Sequence, residues 1–203
     1  NGVSGPKSAT SLTIVPPPTI QSITPQIQEI GQAITIAGSN FSAEADKNLI
    51  LFSGGSAAFA SKATDVSLSV IIPPGTTSGN VSVCVSHGQP GPLSSPMPLT
   101  IKPSINSLSP TSLHIGETLQ IGGSGFSSQN SENMVSFSGG AEASPSSSTT
   151  TSLEVTIPSG AESGPVKVIT GSVPSDQSSI SITIVPAPVV DSISPKLSAI
   201  GRQ

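Results

Sequence analysis

Apolar residues in this chain alternate with small polar ones over short stretches, and Gly, Pro, Ser or Asn closes each stretch. Leu68, Val70 and Ile72 form one such series and Val81, Val83 and Val85 another, each with Ser, Cys or Ile between them. A period of two is the signature of strands with one buried face. The pattern predicts strands near residues 20–23, 33–37, 49–52, 57–59, 67–72, 80–85 and 97–101, with no helix between them.

The series then recurs. Pro18-Thr19-Ile20-Gln21-Ser22-Ile23-Thr24-Pro25 returns as Pro103-Ser104-Ile105-Asn106-Ser107-Leu108-Ser109-Pro110, and again as Pro188-Val189-Val190-Asp191-Ser192-Ile193-Ser194-Pro195, each copy 85 residues after the last. The same offset carries Gly31, Ile34 and Ile36 onto Gly116, Leu119 and Ile121, Phe41 onto Phe126, and Phe52-Ser53-Gly54-Gly55 onto Phe137-Ser138-Gly139-Gly140. It also carries Leu68, Val70, Ile72, Pro73, Val81 and Val83 onto Leu153, Val155, Ile157, Pro158, Val166 and Val168. Seven short strands per unit and frequent turn signals argue for an all-β chain of tandem immunoglobulin-like β-sandwich repeats. A unit of this size has a modest core, so contacts with neighbouring repeats gain weight.

Composition narrows the picture. The 34% apolar content and mean hydropathy of +0.15 are too high for a disordered chain. Twenty Pro and twenty Gly punctuate it too often for long helices, and no apolar run reaches the length of a membrane-spanning helix. Seven Lys and Arg, in a chain of net charge −4, cannot build a basic groove, which excludes nucleic acid bound through its phosphates. A single Cys excludes internal disulfides and cysteine-based zinc sites. With no Trp or Tyr, the core rests on Val, Ile, Leu and Phe.

The ordered motifs Pro-x-Ile-x-Ser-Ile-x-Pro, Gly-x-x-Ile-x-Ile-x-Gly-x-x-Phe, Phe-x-Gly-Gly, Val-x-Ile-Pro-x-Gly and Gly-x-Val-x-Val resemble the IPT/TIG domain. The resemblance covers nearly the whole chain and implies an immunoglobulin-like fold shared by plexin-type receptors, Rel-type transcription factors, starch-acting enzymes and tandem arrays on bacterial surfaces. Rel-type members bind DNA through basic loops that have no counterpart here, and receptor members carry many cysteines that are also missing. The resemblance therefore implies the bacterial surface array, with an extracellular or cell-surface location.

On this reading residues 1–17 are the closing strand and linker of a preceding repeat, 18–102 and 103–187 are two complete domains, and 188–203 open a third. Leu12-Thr13-Ile14-Val15-Pro16-Pro17-Pro18 matches Ile182-Thr183-Ile184-Val185-Pro186-Ala187-Pro188. The two end segments together lack most middle strands and cannot form one sandwich. Proline-rich linkers favour extended geometry, so the expectation is a semi-rigid rod that gains roughly 35–45 Å per unit.

Candidate chemistry is sparse. His87 aligns with Ser172 and His114 with Glu29, so neither position recurs, and both are expected in solvated turns rather than in a nucleophilic triad. The eleven acids are scattered, against the paired carboxylates of glycoside hydrolysis. Glu44, Asp46 and Asp65, or Glu132 and Glu142, offer oxygen ligands for calcium, but without a dense Asp-x-Asp run they read as loop acids. No cofactor is called for, with calcium the weaker alternative. Gly54-Gly55 and Gly139-Gly140 lack the Lys and helix of a phosphate cradle and read as hairpin turns. Asn40-Phe41-Ser42 and Asn80-Val81-Ser82 are glycosylation sequons that decide nothing on their own.

One surface stands out. Alternation places Val81, Val83 and Val85 inward and Cys84 outward, and on the adjoining strand Ile50 and Phe52 inward with Leu49 and Leu51 outward. Leu49, Leu51 and Cys84 in the first unit, and Met134 and Ile169 in the second, are the candidate lateral interface, packing against another chain or a neighbouring unit. The remaining outer positions are mostly Ser, Thr, Gln and Asn, which lose little rotamer entropy on packing. The leading expectation is a non-catalytic structural segment of a long extracellular protein, either an adhesin stalk or a filament shaft. Its partners are then neighbouring repeats and other copies of the same protein. The alternatives are a binding module for carbohydrate or a host protein, or an accessory segment of a secreted polysaccharide enzyme.

Overall fold

A computed structural model describes residues 16–86 and 91–192 of the chain. It is all-β, with two single-turn 3-10 helices, Ala45–Lys47 and Asn130–Glu132, among the described residues. The chain divides into two units between Ile101 and Lys102.

The first unit contains β1 (Thr19–Thr24), β2 (Ile27–Gln28), β3 (Ala33–Ser39), β4 (Asn48–Leu51), β5 (Ala57–Phe59), β6 (Lys62–Ala63), β7 (Ser67–Ile71), β8 (Gly79–Val85) and β9 (Met97–Ile101). They form two sheets, ordered β1-β3-β7-β6 and β2-β9-β8-β4-β5. All pairings are antiparallel except that of β2 with β9, where Ile27 faces Thr100 and Gln28 faces Ile101. The chain passes from one sheet to the other just after β1, at the cis peptide Thr24–Pro25. Proline suits this corner because it has no N–H to leave unpaired.

The second unit repeats the plan with β10 (Ser104–Ser109), β11 (Ser112–Leu113), β12 (Thr118–Ser124), β13 (Asn133–Ser138), β14 (Glu142–Ala143), β15 (Ser147–Ser148), β16 (Ser152–Thr156), β17 (Glu162–Thr170), β18 (Val173–Pro174) and β19 (Ser181–Ile184). Its sheets run β10-β12-β16-β15 and β11-β19-β17-β13-β14, with β18 paired to β17. β11 lies parallel to β19, and Ser109–Pro110 is again cis.

Each sandwich closes around its own apolar cluster. Ile34, Ile36, Ile50, Leu68, Val70 and Val83 fill the first. Leu119, Ile121, Val135, Leu153, Val155 and Val168 occupy the same places in the second, each 85 residues on. Four of the five Phe are buried in these cores, and Phe59 is the exception.

The seven strands expected in the first unit are present, together with β2 and β6. Those two are two residues long, too short to show a period. The Gly pairs are hairpin turns: both glycines of each have φ between 81° and 88°, and Phe52 and Phe137 N–H donate to Ser56 and Ala141 O at 2.9 Å. At Gly54 a Cβ would also run into Gly75 O.

The fixed offset breaks after β8. Ser94 N–H donates to Val83 O, and Ser175 N–H makes the same bond to Val168 O. The first unit has four more residues than the second between these two bonded positions, a stretch that includes residues 87–90. His87 and residues 1–15 and 193–203 lie outside the described residues.

Candidate functional site

The outer face of the β5-β4-β8 sheet carries a continuous apolar row. Leu49 pairs with Phe59 on one side and with Cys84 on the other, and Cys84 forms a bridge with Leu93. Residues directly opposite in a ladder point to the same face, so four apolar side chains cross the sheet in line. Their neighbours Ile50, Val83 and Val85 point the other way and are fully buried. Leu51 stands beside the row and pairs with Ala57 and Ser82.

The middle of the row differs from its ends. Leu49, Leu51 and Cys84 are half-buried, whereas Phe59 is 57% and Leu93 53% exposed. The Cys84 thiol turns toward Gly91 O, 3.2 Å away. Phe59 and Leu93 were missed in the sequence because β5 is three residues long and Leu93 follows a loop whose length differs between the units. The cross-strand register was the signal that could have found Phe59.

In the second unit Met134 faces Ile169, and Ile169 faces Pro174. Met134 and Ile169 are half-buried, and exposed Ser144 stands where Phe59 stands in the first unit. Ser136 faces Lys167 one rung along. An open depression of about 150 Å³ lies there, lined by Ser136, Phe137, Ser138, Pro165, Lys167 and Gln177. The row is therefore shorter and more polar in this unit.

The remaining candidates are spread apart. His114 is exposed, its N–H donates to Glu117 Oε2 at 2.8 Å, and its Nδ1 lies 3.0 Å from Val185 O. Glu44 approaches Lys47 at 3.9 Å, and Glu132 Oε2 accepts the Ser127 hydroxyl at 2.6 Å. Among the described residues no three His, Cys, Asp or Glu side chains converge as metal ligands. Asn40 Nδ2 donates to Pro17 O at 3.0 Å, and Asn80 is exposed on β8.

Residues 18–101 and 103–184 each match the IPT/TIG domain. The chain belongs to the IPT/TIG family. No curated protein matches it. Similar solved structures include the surface glycan-binding protein PbSGBP-B from Prevotella bryantii, at 19% identity over 78% of this chain and 40% of that one, with a TM-score of 0.44. A Bacteroides ovatus mixed-linkage glucan utilization locus SGBP-B, in complex with a mixed-linkage heptasaccharide, is 18% identical over 85% of this chain and 46% of that one, with a TM-score of 0.32. The plexin A4 extracellular region is 18% identical over 88% of this chain and 16% of that one, with a TM-score of 0.40. The chain thus spans less than half the length of each of these proteins.

Both IPT/TIG domains spend their buried polar groups on their own backbone. Asn48 is fully buried; its Oδ1 accepts Ser42 N–H at 2.9 Å, and its Nδ2 donates to Ser42 O at 2.8 Å and Glu44 O at 2.9 Å. Asn133 does the same for Ser127 and Gln129, and its Oδ1 also accepts the Thr170 hydroxyl. Ser94, Ser175 and Ser178 each accept a β8 or β17 N–H, from Val83, Val168 and Val166. Sequence reasoning passed over the asparagines, although Asn48 and Asn133 sit at the repeat offset. Among the described residues, no buried side-chain N or O lacks a partner. No helix of the described residues is long and apolar enough to cross a membrane.

Proposed function

We propose that this pair of IPT/TIG domains is a non-catalytic spacer in a long extracellular repeat protein, forming part of a rod, as an adhesin stalk or the shaft of a surface filament. The observation that carries this reading is the use of buried polar side chains. Asn48, Asn133, Ser94, Ser175 and Ser178 are all engaged in holding loops and strand edges, which is what a domain built to keep its shape requires. Residues 18–102 and 103–187 are the repeating segments, with residues 1–17 and 188–203 belonging to the repeats on either side.

Lateral association with another copy of the chain goes through Leu49, Leu51 and Cys84, and in the second domain Met134 and Ile169. The absence of any charged side chain along the Phe59–Leu49–Cys84–Leu93 row supports this assignment to the first domain above all.

Negative-stain microscopy of the native full-length protein, with immunogold labelling on intact cells, tests the reading. Rods or fibres at the cell surface are expected, and Leu51→Asp combined with Cys84→Ser should abolish lateral bundling. Label confined to the cell interior, or turnover of any polysaccharide by the purified chain, sinks the spacer reading. Glycan-array binding that survives removal of the flanking protein supports the carbohydrate-binding alternative instead.

A further inference from the structure

We propose that the outer face of the second domain pairs with the same face of another copy of this chain, in the one orientation that sets Glu142 of each copy against Lys167 of the other. This pairing rests on the lateral association proposed above and makes it specific.

Three residues form the row that decides it. Ser136 of β13 pairs with Glu142 of β14 on one side and with Lys167 of β17 on the other. Directly opposed residues point to one face, so the row reads acid, hydroxyl, cation across the sheet. Val135, Phe137, Val166 and Val168 point the other way, into the core. Strand spacing puts Glu142 and Lys167 roughly 9–10 Å apart along the row. Both are exposed, and among the described residues neither side chain makes an ion pair or a hydrogen bond. The Ser136 hydroxyl and the Gln177 amide, which line the depression with Lys167, are equally unengaged.

Lys167 stands alone in its domain. Residues 103–187 hold six carboxylates and no other Lys or Arg, so at neutral pH, with His uncharged, any ion pair between two second domains must use it.

Symmetry then selects the arrangement. Two identical sheets packed face to face about 10 Å apart are related by a two-fold axis lying between them, either along β13 or across it. The axis along β13 exchanges the two ends of the row, so each Lys167 meets a Glu142, twice over. The axis across the strands leaves each end in place and sets Lys167 on Lys167 and Glu142 on Glu142. Only the first attracts. It also lays Met134 of one copy on Met134 of the other, and carries each Glu142 over the depression beside Lys167. The two β13 strands then run in the same direction, as neighbouring stalks rooted in one surface require.

The first domain carries no such code. Its equivalent row is Ala57, Leu51 and Ser82, without charge at either end. That face adds contact area but leaves orientation open.

Sedimentation equilibrium of the whole chain tests the charge row. Lys167→Glu and Glu142→Lys change exposed positions, and each should weaken self-association about tenfold, because two exposed ion pairs become two repulsions. Mixed in equal amounts the two variants should restore it, since one then presents two acids to the two lysines of the other. Carbodiimide coupling of mixed light and heavy-isotope wild-type chains should join Glu142 of one to Lys167 of the other as an amide, with loss of water, read by peptide mass spectrometry. If both variants associate as the wild type does, or the mixture stays as weak as each variant alone, the charge row is wrong. If a lysine-reactive cross-linker joins Lys167 to Lys167 and no amide between copies forms, the orientation is wrong. All three results leave the apolar lateral contact standing. A wild-type chain that stays monomeric overturns that contact and this pairing together, while the microscopy described for the spacer reading is independent of both.

Discussion

Replacing Asn48 by Ala should unfold the first domain far more readily and leave the second untouched. The side chain is fully buried and makes three hydrogen bonds to the backbone of residues 42–44, at 2.8 to 2.9 Å. Each bond contributes about 1 kcal/mol net. Ser42 is half-buried and Glu44 exposed, so their freed groups regain water in part, and the loss should be about 3 kcal/mol. A domain of this size is stable by roughly 4–12 kcal/mol at ~0.05–0.15 kcal/mol per residue. With a urea m-value near 1 kcal/mol/M, the midpoint of the first domain should fall by about 3 M. The chain has no Trp or Tyr, so the transition is followed by far-UV circular dichroism, and hydrogen exchange read by peptide mass spectrometry assigns it to a domain. Asn48→Asp should be at least as damaging at neutral pH, because a carboxylate would face the Ser42 and Glu44 carbonyls that the amide now donates to. It should recover in acid, where a protonated carboxyl regains one donor. A loss below about 0.5 kcal/mol, or an equal loss in both domains, would refute the argument that the buried amide fastens this loop.

Gly54→Ala combines φ of +88° with a Cβ that meets Gly75 O, so it should cost more in urea stability than Gly55→Ala, where φ is +81° but the space is open; the latter should lose about 1 kcal/mol. Leu68→Ala empties a fully buried position and should cost roughly 2–5 kcal/mol, confined to the first domain by separate monitoring of exchange. Phe59→Ser and Leu93→Ser should change stability by less than about 0.5 kcal/mol, yet reduce sedimentation-detected self-association of the full chain. Cys84→Val should be near neutral, and the native thiol should label with Ellman's reagent more slowly than a free thiol, because it is half-buried and turned toward Gly91 O.

The repeat and the core were legible because burial demands apolar side chains at fixed intervals, and that demand is written twice in this chain. Ile34, Leu68 and Val83 could be read as core from their spacing and again from Leu119, Leu153 and Val168. The short strands β2 and β6 were not legible, since pairing of two residues depends on where the rest of the sheet ends. Half of the apolar row was visible. Leu49, Leu51 and Cys84 follow from alternation, whereas Phe59 and Leu93 join them only through register, and register depends on the Gly54-Gly55 turn and on the longer loop before Ser94. The roles of Asn48 and Asn133 were hidden for another reason. A polar residue at the head of a strand reads as exposed, and only the closing of residues 42–47 over it makes it interior.

Comparison of the two domains separates what the fold needs from what a surface is free to become. Most of the core matches at the 85-residue offset, with exceptions such as Val85 against Thr170 and Gln28 against Leu113, and so do the buried asparagines, the Gly-Gly turns and the parallel closing pair. These are the features whose loss costs stability, and they largely stay the same. The outer row does not: Phe59, Leu49, Cys84 and Leu93 become Ser144, Met134, Ile169 and Pro174. Stability alone does not require Phe59 to be apolar, because a Ser holds the same place in a domain with the same fold. An exposed aromatic that the fold can do without is free to serve a contact outside the domain, which is the role proposed for it here. Exchanging the two rows tests this directly. Phe59→Ser should weaken association through the first domain, and Ser144→Phe should create a new contact through the second, with little change in the stability of either.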